Sequence, residues 1–361
     1  MSSSIQLIAG RRAYELIKSE GLHPSMIKAV AAAAGGPKWF TTYGLVRYII
    51  SDLLGQVDHN VHLIGASVGS WQMTAACASD PGAALDRLRE GYAGHIYSDD
   101  PDGVEISEAC RDFLLHMIGD DRSHILEHPQ RHLHVITSRG RGWLSHENKF
   151  VLGVSFAAAA ISHSIRRSAF DRYMQRTVFH NGVEIPIDQA RDPLSTISYQ
   201  LNEDTLIPVL RASGAIPMLM PGIRDIPGVD SGYYWDGGLT DYHIGMPLMM
   251  PERSVVLLPH FSPYVLAGWF DKKLPWIRHA PADHVQDMLL ICPTPEYVAS
   301  LPKGQISDMK DFYEFGERQE ERIKYWMSIS NQSSQMAAEL HESIHSGAIR
   351  ERVICYDDYI K

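Results

Sequence analysis

Val61-His62-Leu63-Ile64-Gly65-Ala66-Ser67-Val68-Gly69-Ser70-Trp71 is the stretch that decides the fold. An apolar run leads into Gly65-Ala66-Ser67-Val68-Gly69, and the small-residue run Gln72-Met73-Thr74-Ala75-Ala76-Cys77 then reads as helix. Strand, sharp turn and helix form the context that a nucleophilic serine between two glycines requires. Gly65 and Gly69 lack a Cβ, so neighbouring backbone can pass close by. Ser67 then projects its Oγ at the N-terminus of the helix, where free N–H groups and partial positive charge favour an oxyanion. The plainer alternative is a turn with no chemistry, since a five-residue pattern with two open positions also arises by chance.

The same arrangement stands one unit earlier. Met26 to Ala31 reads as a strand and opens into Ala32-Ala33-Ala34-Gly35-Gly36-Pro37-Lys38-Trp39. Pro37 suits the first turn of a helix, which continues through apolar positions to Leu54. Two strand–turn–helix units in succession predict a parallel sheet with helices on its faces. Further along, Pro81 to Asp121 reads as helix interrupted at Asp99–Gly103, and His132 to Thr137 as a strand. Lys149 to Arg167 could begin as a strand, but its alanine-rich part reads as helix. Arg166, Arg167, Arg172 and Arg176 read as a solvated helix surface, with a basic amphipathic face as the alternative. Asp204 to Ser213 reads as helix, and Ser254–Leu258 and Met288–Ile291 as buried strands. Met309 to Ser330 reads as one long charged helix, Glu339 to Ser346 as another, and Val353–Tyr356 as a last strand.

The chain has 361 residues, 45% hydrophobic and 21% charged, with a formal charge of −10. This is the composition of a soluble globular protein, and it implies no general affinity for nucleic acid or an anionic surface. Cys77, Cys110, Cys292 and Cys355 have neither disulfide-framework nor zinc-ribbon spacing and suit a reducing compartment. No signal peptide or bilayer-spanning run is read, so a cytoplasmic location is expected.

Acyl transfer needs a nucleophile, a base and oxyanion donors. Ser67 can be the nucleophile. The turn at Gly35-Gly36-Pro37-Lys38 can supply donors from Gly35, Gly36 and Lys38, because Pro37 has no N–H. The phosphate-loop pattern and the dinucleotide fingerprint both fail there. For the base, Asp236 followed by His243 or His260 satisfies the order of a Ser–His–Asp triad. Asp236-Gly237-Gly238 also follows three aromatic residues, Tyr233-Tyr234-Trp235. A carboxylate in apolar surroundings has a raised pKa and can take a serine proton directly. A simple turn aspartate is equally natural for that composition.

Four blocks in order resemble the patatin-like phospholipases. Gly35-Gly36-Pro37-Lys38 is similar to the family's glycine-rich oxyanion loop, Gly65-Ala66-Ser67-Val68-Gly69 to its nucleophile elbow, and Asp236-Gly237-Gly238 to its Asp-Gly-Gly/Ala block. Arg211-Ala212-Ser213-Gly214-Ala215-Ile216-Pro217 is similar to the Ala-Ser-x-Ala-x-Pro segment that precedes it. The resemblance implies Ser67 as nucleophile, Asp236 as base, and oxyanion donors at Gly35, Gly36 and Lys38. It implies hydrolysis of a lipid or other acyl ester with no metal or organic cofactor. The chain departs from the family pattern at Pro37 and Ala34, where a third glycine is common. It departs again at Asp241, Tyr242 and His243, near the usual place of an asparagine. The expected fold is an α/β protein, a patatin-like three-layer α/β/α sandwich with a mainly parallel sheet. A catalytic domain over 26–248 is expected, with a C-terminal helical extension, 249–361, packed on the same domain.

Two further features compete. His341-Glu342-Ser343-Ile344-His345 matches the zinc-peptidase pattern His-Glu-x-x-His, but a third ligand is hard to find downstream, and a solvated helix face is the plainer reading. Phe261 to His279 mixes Trp269, Phe270 and Trp276 with Lys272, Lys273 and Arg278. It reads as a packed surface loop, with transient contact to a membrane surface as the alternative. A non-catalytic lipid-binding protein is the remaining alternative, and oligomeric state is left open.

Overall fold

The computed structural model describes residues 3–145, 149–273 and 278–359. Among these residues eleven strands form one sheet: β1 (Ile5–Ala9), β2 (Ile27–Ala32), β3 (Val61–Ala66), β4 (Arg131–Gly140), β5 (Met174–His180), β6 (Thr196–Gln200), β7 (Ile223–Arg224), β8 (Tyr233–Asp236), β9 (Val255–Pro259), β10 (Met288–Pro293) and β11 (Val353–Cys355). The main order is β11-β1-β10-β9-β2-β3-β4-β5-β6. The middle, β10-β9-β2-β3-β4, is parallel throughout. β1 and β5 join it antiparallel, while β11 and β6 run parallel to those two outer strands. The architecture is the expected α/β one, with a mostly parallel central sheet and flanking helices.

Alternation along the strands builds two cores, because successive side chains point to opposite faces. Leu63, Leu133 and Val135 join a large core, and Ile64, Ala66 and Ile136 join a smaller one on the other face. The large core packs under helices that include Arg11–Glu20, Val68–Ala75, Pro81–Gly94 and Gly103–Ile118, together with Gln319–Gln332 from the C-terminal part. The smaller core is closed mainly by irregular segments around Ile185–Ile187, Tyr242–Met250 and Val265–Val285. Residues beyond 248 therefore give strands to the middle and edge of the sheet as well as helices outside it.

β4 has a special place. Along one side it pairs first with β3, up to Ala66 opposite Ile136, and then with antiparallel β8, starting at Asp236 opposite Thr137. β3 and β8 thus meet head to head on adjacent residues of one strand.

Three local expectations change. Lys149–Ile165 is helical from its first residue, and its buried positions Leu152, Ser155, Ala159 and His163 follow the 3.6-residue period. Of the arginines that follow, Arg166 and Arg172 are exposed, but Arg167 and Arg176 do not lie on a solvated helix surface. Arg176 lies on β5, fully buried, and its guanidinium binds Asp241 in a fork with bonds of 2.6 and 2.7 Å. Arg167 is largely buried beside Asp241 and Asp271. The region 309–330 is two helices, Lys310–Phe315 and Gln319–Gln332. Gly316, at φ 51°, ends the first in the left-handed conformation that glycine adopts most easily. Among the described residues no helix is long and apolar enough to cross a membrane.

Candidate active site

Ser67 sits between β3 and the helix Val68–Ala75 with φ 55° and ψ −133°, a conformation that costs energy for a residue with a side chain. The surroundings hold it there. A Cβ on Gly69 would lie 2.1 Å from the Ala32 carbonyl oxygen, and one on Gly65 would lie 2.5 Å from Gly69 backbone. Both glycines are thus required by close backbone approach. The Ser67 N–H donates to Ser213 Oγ (2.9 Å), and the Ser213 hydroxyl donates to the Ile136 carbonyl (2.7 Å).

Asp236 ends β8. Its N–H donates to the Ala215 carbonyl (2.9 Å), so the segment around 211–217 anchors the carboxylate as well as the serine. A Cβ on Gly237 would fall 2.2 Å from the Ile136 carbonyl oxygen, so the turn after Asp236 lies directly on β4. The Gly238 N–H donates to Asp236 Oδ1 (2.7 Å). Ser67 Oγ donates to Asp236 Oδ2 at 2.6 Å, and both residues are buried. Burial pushes the Asp236 carboxyl up to about 6, against the opposing hydrogen bonds from Ser67 and Gly238.

The glycine turn faces this pair. Ala34, Gly35, Gly36, Lys38, Ser67 and Asp236 all line one cavity of about 260 Å³. Its other walls are mostly apolar, including Phe156, Ile216, Leu239, Trp269 and Phe270. Gly36, at φ 55°, starts the 3-10 turn Gly36–Thr42, and as its first residue it has no acceptor for its N–H within the turn. The Lys38 N–H turns back to the Gly35 carbonyl at 3.4 Å, and the Lys38 ammonium sits 3.4 Å from Asp308.

Other candidates lie elsewhere. His243 and His260 pack edge to face, with ring centroids 4.1 Å apart. Their Nδ1 atoms accept the backbone N–H of Leu266 (3.1 Å) and Ser262 (3.0 Å), and burial lowers both pKa values. Neither lines the Ser67 cavity. His341 and His345 stack on an exposed face of the helix Ser334–His345, and no group of three metal-ligating side chains occurs among the described residues. Trp269 and Phe270 are cavity wall, Arg278 donates to the carbonyls of His163 and Ser164, and Trp276 lies outside the described residues.

Sequence reasoning missed Ser213, although it stands inside a block already quoted. Its isolated hydroxyl in an apolar helix end was the signal. It also missed Arg176 and Asp241, which brace the turn after Asp236, and the segment Ser307–Met309. The Ser307 hydroxyl donates to the Pro37 carbonyl at 2.7 Å. No local pattern advertises these long-range pairs.

Ser67, in a strained turn at the C-terminal end of a parallel strand, thus bonds a buried carboxylate beside a glycine turn in an α/β protein. A model of the family described as patatin-like phospholipase matches residues 31–244, more than half of the chain, and the chain belongs to that family. The family is one of lipid acyl hydrolases. Among solved structures the chain is similar to VipD from Legionella pneumophila, with 13% identity, a TM-score of 0.30, and coverage of 66% of this chain and 50% of that one. The chain thus spans about half the length of VipD. No curated protein matches.

The raised Asp236 pKa carries a stability consequence. The folded state binds this proton more tightly than the unfolded chain, so ionisation costs stability as pH rises from about 4 through about 6. Asp236→Asn keeps an acceptor for the Gly238 N–H and removes the buried charge. It should raise folding stability by about 1–3 kcal/mol at pH 7 and by little at pH 4. Thermal melts of both proteins across that range check this; an Asn variant that is less stable at pH 7 contradicts it.

Proposed function

We propose that the protein hydrolyses lipid acyl esters of the phospholipase A or lysophospholipase type through a covalent acyl-serine, with Ser67 as nucleophile and Asp236 as general base. The observation that carries this reading is the direct 2.6 Å hydrogen bond from Ser67 Oγ to a buried carboxylate whose pKa is about 6. A carboxylate poised there is ionised at neutral pH yet basic enough to accept a proton during attack. Ser67 Oγ adds to the ester carbonyl while its proton moves to Asp236 Oδ2. The carbonyl oxygen becomes an oxyanion, held by N–H groups of Gly35 and Gly36, with Lys38 contributing from the same turn. When the intermediate collapses, the C–O bond to the alcohol breaks and Asp236 returns the proton to the leaving oxygen. Water, deprotonated by the same carboxylate, then attacks the acyl-serine; the bond between the acyl carbon and Ser67 Oγ breaks, Asp236 returns the proton to Oγ, and the acid leaves. No step uses histidine.

Apolar cavity walls support a lipid-like acyl group rather than a polar one. The joining of β9 to β2, and of β10 to both β1 and β9, supports treating 249–361 as packed on the catalytic domain 26–248. Four buried free cysteines fit a reducing, cytoplasmic setting. Contact with a lipid surface is favoured at the helix Lys149–Ile165. Phe150, Val154, Ile161 and Ile165 are exposed along one stripe, while Phe156 of the same helix lines the cavity. Exposed Arg166 and Arg172 follow it, the charge that anionic headgroups attract.

Ser67→Ala and Asp236→Asn should each reduce turnover of a nitrophenyl acyl ester by about a thousandfold or more. The wild-type kcat/KM should rise with pH through about 6, because the base must be ionised. Retained turnover in either variant overturns the dyad. Ile161→Asp with Ile165→Asp should weaken sedimentation with phosphatidylglycerol vesicles several-fold while a water-soluble ester is still turned over. Unchanged sedimentation excludes that surface.

A further inference from the structure

Met309 lies outside the family-matched residues and yet sits against the heart of the site. A Cβ built on Gly36 would lie 3.0 Å from Met309 Sδ, so the thioether rests on the glycine turn. The segment is pinned there by the Ser307–Pro37 bond and the Lys38–Asp308 pair. Three cavities meet at this residue. The first is the 260 Å³ cavity of Ser67. The second is a narrow slot of about 50 Å³ that shares Gly36, Ser67 and Ile216 with the first and runs between Trp71, Tyr92 and Phe113. The third is a groove of about 500 Å³, the largest of the three, which shares Tyr97, Ile106, Leu219 and Phe312 with the slot. The groove ends at the exposed loop Ser98–Asp100. Among the described residues, Met309 is the one that lines all three.

We propose that the groove is the binding site for the distal part of a long acyl chain, and that Met309 is the gate between it and Ser67. This rests on the acyl-serine reading above. An ester carbonyl at Ser67 would direct its first methylenes into the aromatic slot. The remaining methylenes pass under Met309 and lie along Leu219, Ile106 and Phe312 towards the loop at Ser98. Methionine suits a gate: it is unbranched and yields to an apolar neighbour at little cost, where a β-branched or aromatic side chain would not. Apolar area is also the only recognition a saturated chain offers, and each methylene it buries is worth about fourfold in affinity. The C-terminal segment therefore sets chain-length preference, although the nucleophile and its carboxylate lie in the family-matched region.

The test compares nitrophenyl palmitate with nitrophenyl butyrate in each protein, in mixed micelles of fixed composition. The kcat/KM ratio for the two esters is internal to each sample, so partial unfolding does not alter it. Met309→Ala should raise the palmitate-to-butyrate ratio about tenfold, and Met309→Phe should lower it by a similar factor. Ile106→Phe, which narrows the passage where slot and groove join, should also lower the palmitate-to-butyrate ratio. If all three ratios stay within twofold of wild type while hydrolysis still requires Ser67, the groove is not the acyl site and the proposal fails alone. If hydrolysis persists in Ser67→Ala, the acyl-serine reading has failed, and the proposal fails with it.

Discussion

Two consecutive residues of β4, Ile136 and Thr137, hold the site together. Ala66, the last residue before Ser67, pairs with Ile136, and Asp236 pairs with Thr137. A strand spaces neighbouring residues by only about 3.3 Å. Two groups 169 positions apart in sequence are therefore brought side by side by backbone register, not by side-chain reach. The Ile136 carbonyl is the common reference point. It accepts the Ser213 hydroxyl that holds the Ser67 amide, and Gly237 lies against it with no room for a side chain. A register slip of one residue would turn every side chain of β8 to the other face, which is why the hydrogen-bonded ladder can fix the pair so tightly.

That arrangement asks much of its surroundings. A buried, ionisable carboxylate and a serine in strained backbone both raise the energy of the folded state. Behind them lies a buried charge network: Arg176 forks onto Asp241, Arg167 lies near Asp241 and Asp271, and His163 bonds Asp271 at 2.7 Å. Such pairs contribute little net stability, but breaking one strands its partner and is costly. They fix the turn that follows Asp236-Gly237-Gly238, because Asp241 closes it with an N–H bond to the Gly237 carbonyl at 2.9 Å. Asp241 is one of the places where the chain departs from the pattern its resemblance suggested, and buried Arg176 accounts for its charge.

Much of this was legible in the sequence wherever chemistry is local. The elbow announces itself because strand, glycines and helix are contiguous, and the glycine turn and Asp236 block do so for the same reason. The parallel centre of the sheet follows from two successive strand–turn–helix units. β5 stayed hidden because Met174-Gln175-Arg176-Thr177-Val178-Phe179-His180 carries polar side chains that are nonetheless buried, and Gln175 and Arg176 find their partners, Arg139 and Asp241, far along the chain. The break at Gly316 was masked by charged residues on both sides that suit one long helix. Met309 could not be found at all, since nothing in its neighbours says that it will lie on Gly36.

The proposed chemistry requires the hydroxyl of Ser67 to be activated by direct contact with Asp236 alone. Reaction of the protein with an alkyl fluorophosphonate, followed by digestion and peptide mass mapping, tests it most directly. A single stoichiometric adduct on Ser67 should form quickly above pH 7 and slow sharply in Asp236→Asn, with His243→Ala and His260→Ala labelled as wild type. An adduct on another residue, or undiminished labelling of Ser67 in the asparagine variant, would contradict it.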